Sequence, residues 1–188
     1  MGYIIIPKGK YSNKDAVDNV LHYVTRTRVD DDGKDIYFTY ACGINYNAGV
    51  DRAIEQFKIT ENIYNIDARG GRRIFHEIFT LSPLEGSGAP CEVILEALKY
   101  VAINACEEYF RRGFQVVSAI HDKDSFAPRL HIHFAINAIN FIDGYKWKRC
   151  NADIKERQKM LNMLFYEFME KNHLYGYTIV TRIEDLCC

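Results

Sequence analysis

Residues Phe114–Asn137 read FQVVSAIHDKDSFAPRLHIHFAIN, and the close of this stretch decides what kind of sheet the chain builds. Successive side chains of a strand alternate faces. His131, His133 and Asn137 therefore share one side, while Ile132, Phe134 and Ile136 share the other and can pack on a helix. Phe114–His121 reads as a preceding strand, joined by a loop holding Pro128 to a strand predicted over Leu130–Ile142. Asp143-Gly144 then reads as a two-residue hairpin turn, returning through Tyr145–Lys148.

Upstream, Asn13 is placed to cap a helix over Lys14–Thr25, where Val17, Val20, Leu21 and Val24 form a buried stripe. A turn at Asp30–Gly33 precedes a short aromatic strand, Ile36–Ala41. A helix is expected over Gly49–Phe57, and a strand over Arg72–Leu81 that Ser82-Pro83 ends. Pro90 suits the first turn of a long helix reaching about Phe110, which Gly113 terminates. Downstream, Asn151 is expected to cap a last helix with Ile154, Leu161, Leu164, Phe165 and Phe168 on one face, and Tyr177–Thr181 to add a final strand. Some strands neighbour one another as hairpins and others are joined across helices. That favours an α+β fold, a central and mainly antiparallel sheet of about five strands flanked by helices, over a doubly wound one. Residues 1–188 are expected to form a single domain.

With 48% hydrophobic and 26% charged residues the chain can build a sizeable core, which excludes intrinsic disorder and collagen-like repeats. Its 24 Lys and Arg nearly balance 25 Asp and Glu. A uniformly basic nucleic-acid binder is thereby disfavoured, although phosphate binding depends on local cations and not on the whole-chain sum. No apolar run approaches the roughly 18 residues that span a bilayer, and Met1–Lys10 is too short for a signal peptide, so a cytoplasmic protein without a membrane segment is expected. Six cysteines without CxxC spacing give neither a disulfide framework nor a zinc ribbon.

Three chemical features stand out. Two imidazoles side by side, His131 and His133, can chelate one ion, with His121 across the hairpin as a third ligand. The ordinary alternative is a set of hydrogen-bonded histidines on a half-exposed strand. His76, central in its strand, reads as a buried histidine, a fourth ligand or a phosphate contact. Tyr23 lies about 105° from the centre of its helix stripe, at the margin of the core, with Asn19 and Arg26 as helical neighbours. A tyrosine can act as a covalent nucleophile when its proton is helped away.

Together FQVVSAIHDKD, HIHFAINAINFIDGYKW, NVLHYVTRTR, CGINYN and IFHEIFTLSP resemble the relaxases, the MobA/VirD2-like mobilization nucleases of the HUH endonuclease superfamily. The resemblance runs over roughly Lys14–Trp147, with the tyrosine first and the histidine motif later. It implies that Tyr23 is the nucleophile and that His121, His131 and His133 hold a divalent ion, magnesium or manganese. It further implies that single-stranded or hairpin origin DNA is cut through a 5′-phosphotyrosyl enzyme and later rejoined, in a bacterial cytoplasm, with accessory mobilization proteins and a coupling protein as partners. Asp122, Asp124 and Glu77 are candidates for orienting an imidazole or taking the tyrosine proton, and His76 and Asn137 are further auxiliary candidates. Arg26, Arg28, Arg72, Arg73, Lys123, Arg129, Lys146 and Lys148 flank the motifs as candidate DNA contacts. The chain departs from the family in an extra Ser125–Arg129 segment between His121 and His131, and in stopping at Cys188 where many members continue.

Two other readings belong to the same residues. A replication initiator or single-tyrosine transposase would use a tyrosine downstream of the histidines, Tyr145 or Tyr166. A non-catalytic DNA-binding relative would keep the fold and the ion without the cut.

Overall fold

The computed structural model describes residues 2–27, 36–81, 91–122 and 129–174. Among them, β1 (Gly2–Ile5), β2 (Ile36–Cys42), β3 (Ile74–Leu81), β4 (Val116–His121) and β5 (His131–Asn137) form one sheet in the order β1-β3-β5-β4-β2. All neighbouring pairs are antiparallel. Helices α1 (Ala16–Thr25), α2 (Val50–Ile63), α3 (Ile66–Arg69), α4 (Cys91–Arg111) and α5 (Asn151–Lys171) flank it. This is the expected α+β arrangement.

The parity of β5 separates two cores. Ile132, Phe134 and Ile136 join Phe79 and Ile120 against Leu98, Val101 and Tyr109 of α4 and Leu161 and Phe165 of α5. On the other face Ile74, Val117, Ala119 and Ala135 meet Val17, Val20, Leu21 and Val24 of α1 and Ala53, Ile54 and Phe57 of α2. Each large aliphatic or aromatic side chain buried here contributes about 1.5–3 kcal/mol. The small side chains of Ala119 and Ala135 let α1 lie close to the sheet. Every residue of β3, β4 and β5 is buried, so the histidine face is covered by helix and not half-exposed.

Several boundaries differ from the sequence reading. Helix α1 begins at Ala16 after Asp15, and Asn13 contributes only its backbone carbonyl, to Ala16 N at 3.1 Å. Helix α2 continues past Phe57 to Ile63, because Ile59 and Ile63 face solvent while Thr60 and Glu61 are buried, which inverts the apolar stripe. Strand β1 was not anticipated. It is only four residues long, and the Asn162 amide of α5 clamps it, accepting from Gly2 N at 2.7 Å and donating to Gly2 O at 2.9 Å. Strand β5 stops at Asn137, whose Oδ1 accepts from Ile139 N at 3.0 Å in place of a ladder bond. The following reversal is wider than two residues, closing where Asn140 N meets Tyr145 O at 2.8 Å, with Gly144 at φ +71°. Helix α5 is capped at Cys150, whose backbone N–H donates to Asp153 Oδ2 at 2.7 Å, and not at Asn151. The expected turn at 30–33, Pro90, Pro128 and the strand at 177–181 lie outside the described residues.

No described helix is long and apolar enough to cross a membrane. Of the free thiols, Cys106 is buried and donates to the Ser118 hydroxyl at 3.3 Å, Cys42 is half-buried and Cys150 exposed.

Candidate active site

Antiparallel register assembles the histidines. On β5, His131 is flanked by His121 of β4 and Thr80 of β3, and His133 by Ala119 and Ile78. His76 of β3 pairs with Ala135 and thus shares the same face. His131 and His133 are 0% exposed, His121 1% and His76 3%. Such burial requires each polar ring nitrogen to have a partner.

One ring nitrogen from each of His121, His131 and His133 lies within 4.8 Å of the other two. His131 Nε2 and His133 Nε2 are 2.9 Å apart, so both can face one ion. His131 Nδ1 meets the Arg129 carbonyl at 2.7 Å. A carbonyl only accepts, so His131 carries its proton on Nδ1 and leaves a lone pair on Nε2. His121 Nε2 likewise donates to the Val24 carbonyl at 2.6 Å, and its Nδ1 accepts from Arg26 Nε at 3.2 Å. Thr80, paired with His131, has a buried hydroxyl without a hydrogen-bond partner. Imidazole nitrogens gathered this closely beside an unsatisfied hydroxyl fit a divalent ion with its bound oxygens.

The last turn of α1 closes over this cluster. Tyr23 is half-buried, its ring 5.5 Å from that of His133, 5.6 Å from His76 and 6.5 Å from His121. Arg26 ends the helix in the left-handed conformation (φ 46°, ψ 47°), which costs a non-glycine residue of order 1 kcal/mol. That backbone turns its side chain inward to His121 and to Asp122 Oδ1 at 3.2 Å. The Arg26 side chain is only 5% exposed. The helix margin inferred for Tyr23 thus faces the histidines, whereas Tyr145 is exposed beyond the far end of β5 and Tyr166 packs with the α4–α5 core.

Glu77 is a correction. Its neighbour His76 faces the histidine cluster, so strand parity turns Glu77 to the opposite side of the sheet. There it accepts from Arg157 Nε and Nη2 at 2.9 and 2.7 Å, Arg149 Nη1 at 2.8 Å and Tyr109 Oη at 3.1 Å. It can neither orient an active-site imidazole nor take a proton from Tyr23. Burial, then the Glu77 charge, pushes the Tyr109 phenol well above its ordinary range and keeps it a donor. Asn137 shares the histidine face but is tied to Phe57 O and Gln115 Oε1 at the other end of β5.

The cationic candidates divide. Arg26 and the exposed Arg129 adjoin the histidines. Arg72 donates to Gly9 O at 2.7 Å and lies over the Tyr11 ring at 5.3 Å. Arg73 is buried between Glu61 and Asp67, which makes it an internal ion pair and not a phosphate contact. Lys146, bonded to the Gly70 carbonyl, and exposed Lys148 lie past the far end of β5. Four residues of strand rise put the end of β5 roughly 13 Å along from His133, and Lys146's partner Ile139 lies past it. Arg28, Lys123 and Asp124 lie outside the described residues.

Sequence reasoning missed Tyr11, whose ring lies 6.3 Å from His76. Burial raises its phenol above the ordinary value, partly opposed by Arg72, which makes it a poorer nucleophile than a free tyrosine. The unanticipated β1 leads into its loop, which Arg73 N holds here by donating to Tyr11 O at 2.8 Å. Thr80 was legible by parity with His76 but carries no motif of its own.

A family model described as "Relaxase: MobA/VirD2-like, nuclease domain" matches residues 23–169, which include Tyr23 and all four clustered histidines. No curated protein matches the chain.

Proposed function

Because the chain belongs to the MobA/VirD2-like relaxases, DNA-nicking nucleases that act on single strands, we propose that it opens one strand of a transfer origin through Tyr23 and later reseals it. The residues 1–188 act as one nuclease domain in this reading. The observation that carries it is the seating of Tyr23 against His133, His76 and His121.

Tyr23 Oη attacks the scissile phosphorus in line. The phenol proton leaves, the new P–Oη bond forms as the P–O3′ bond breaks, and the departing O3′ gains a proton to become a 3′-hydroxyl. The 5′ end stays on Tyr23 as a phosphotyrosyl ester. One diester has replaced another, so attack by a 3′-hydroxyl reverses the step and rejoins the strand. His121, His131 and His133 hold the family's divalent ion, magnesium or manganese; when bound, it offsets charge gathering on the phosphate oxygens. Helix α1 keeps Tyr23 at fixed distance, and Arg26 puts a positive charge beside the same phosphate.

The substrate is single-stranded or hairpin origin DNA of a mobilizable plasmid or integrative element. Arg26, Arg72 and Arg129, with Arg28 and Lys123, contribute phosphate contacts. The near-neutral charge of the chain favours weak, salt-sensitive general binding, so accessory mobilization proteins and a coupling protein supply targeting.

The test replaces Tyr23, Tyr145 and Tyr166 singly by Phe and looks for the denaturant-resistant protein–oligonucleotide adduct. Loss in Tyr23→Phe alone is expected. An adduct that persists in Tyr23→Phe and disappears in Tyr145→Phe or Tyr166→Phe overturns the assignment in favour of an initiator-like or transposase-like mechanism.

A further inference from the structure

We infer that His76 is a positioning residue of the metal site, one that fixes the tautomer of His133 and does not itself bind the ion. This rests on the metal reading above.

The argument starts from which nitrogen faces which. His76 Nε2 lies 2.8 Å from His133 Nδ1, with the rings only 24° from coplanar. His133 turns its other nitrogen, Nε2, toward His131. The two nitrogens of one imidazole point to opposite sides of the ring, so the atom that touches His76 is the one facing away from the ion. His76 therefore stands one layer further out, and its reading as a fourth ligand fails on geometry.

A neutral imidazole has one N–H and one lone pair. For His133 to offer the Nε2 lone pair to an ion, its proton must sit on Nδ1. That buried N–H then needs an acceptor at 2.8 Å, and the atom there is His76 Nε2. His76 must in turn carry its own proton on Nδ1. With no ion between them, His131 Nε2 and His133 Nε2 at 2.9 Å would share an N–H···N hydrogen bond. His131 cannot be the donor there, since its proton is committed to the Arg129 carbonyl. His133 then donates from Nε2 and accepts from His76 at Nδ1. Ion binding thus shifts the protons of both His133 and His76 from Nε2 to Nδ1. Proteins more often place a carboxylate or carbonyl behind a metal-binding histidine. Here parity sends the adjacent carboxylate, Glu77, to the other face and leaves a histidine in that place.

The test uses the whole chain, calorimetric Mn2+ titration, and nitrogen-15 NMR of the histidine rings with Zn2+ as a diamagnetic probe. His76→Phe fills the space but accepts no hydrogen bond. It should weaken Mn2+ binding about 10–100-fold. His76→Gln restores an accepting oxygen and should recover most of that loss. In the unaltered Zn2+-loaded protein His133 should show its proton on Nδ1. Equal Mn2+ affinity of His76→Phe and the parent, or a His133 proton found on Nε2 with Zn2+ bound, overturns the inference while leaving the metal site standing. A parent protein that takes up neither ion overturns the metal reading, and this inference with it. The NMR measurement needs no substitution and decides the matter even if His76→Phe fails to fold.

Discussion

Replacing Glu77 by Gln separates a structural carboxylate from a catalytic one. Glu77 is 1% exposed and receives four hydrogen bonds, two from Arg157, one from Arg149 and one from Tyr109. Arg157 is 3% exposed, and its guanidinium also lies over the Trp147 ring at 4.6 Å. Gln keeps the shape and removes the charge. Two guanidinium groups then lose the buried carboxylate they share, and the new amide turns N–H groups toward donors. Stranding buried charge in this way costs about 3–5 kcal/mol. For a protein of this length each kcal/mol lowers Tm by about 2–4 °C, so a fall of roughly 6–20 °C follows. Thermal and urea melts measure it. Below the transition, Mn2+ affinity and adduct formation should match the parent, because Glu77 lies on the far face of the sheet. The double variant Glu77→Gln/Arg157→Met should recover part of the loss by removing a stranded charge as well. A melt within 1 kcal/mol of the parent would refute the buried-charge argument, and loss of the adduct in fully folded Glu77→Gln would return Glu77 to the chemistry.

Tyr23→Phe should abolish the covalent adduct on an origin oligonucleotide while leaving Tm within a few degrees, checked by denaturing gel and melt. His131→Ala and His133→Ala should each lower Mn2+ affinity by at least about 100-fold, since each deletes a direct ligand; unchanged calorimetric titrations would contradict the site. Arg26→Met should tighten Mn2+ binding by about tenfold or more, because it frees the His121 Nδ1 lone pair and removes a positive charge. Weaker binding in Arg26→Met would count against the competition seen at His121.

The central histidine pair and its apolar reverse side were legible from alternation alone, because β5 is paired on both sides and its parity is fixed by two cores. The reach of Tyr23 was legible for the same reason on a helix: Val17, Val20, Leu21 and Val24 fix α1 against Ala119 and Ala135, and the angle to Tyr23 follows. What stayed hidden depended on partners distant in sequence. Strand β1 exists through Asn162, 160 residues away, and α2 outruns its apolar stripe because Glu61 is neutralised by Arg73. No local pattern marks either. The same holds for cations: position near a motif made Arg73, Lys146 and Arg26 look alike, and only the folded chain separates an internal ion pair, a far-end lysine and a side chain on the histidines.

The two faces of the sheet bear on one another through β3. His76 and Glu77 are consecutive, so alternation commits the first to the histidine cluster and the second to Arg149 and Arg157. The ladders to β1 and β5 set the register of β3. Because a strand cannot slide by one residue without reversing every side chain, they also fix where His76 meets His133. A 2.8 Å contact between two buried rings tolerates little displacement. The carboxylate that has no place in the chemistry stabilises the same strand from its far face, while strand pairing holds the register on which the metal-facing tautomer depends. This account separates two effects in Glu77→Gln. Stability should fall because of the buried arginines, whereas the His76–His133 contact should survive as long as β3 stays paired, and the nitrogen-15 signature of His133 should be unchanged up to the onset of unfolding. A signature that changes well below the melt would show that the ion pair tunes the imidazoles directly and does not act through strand register.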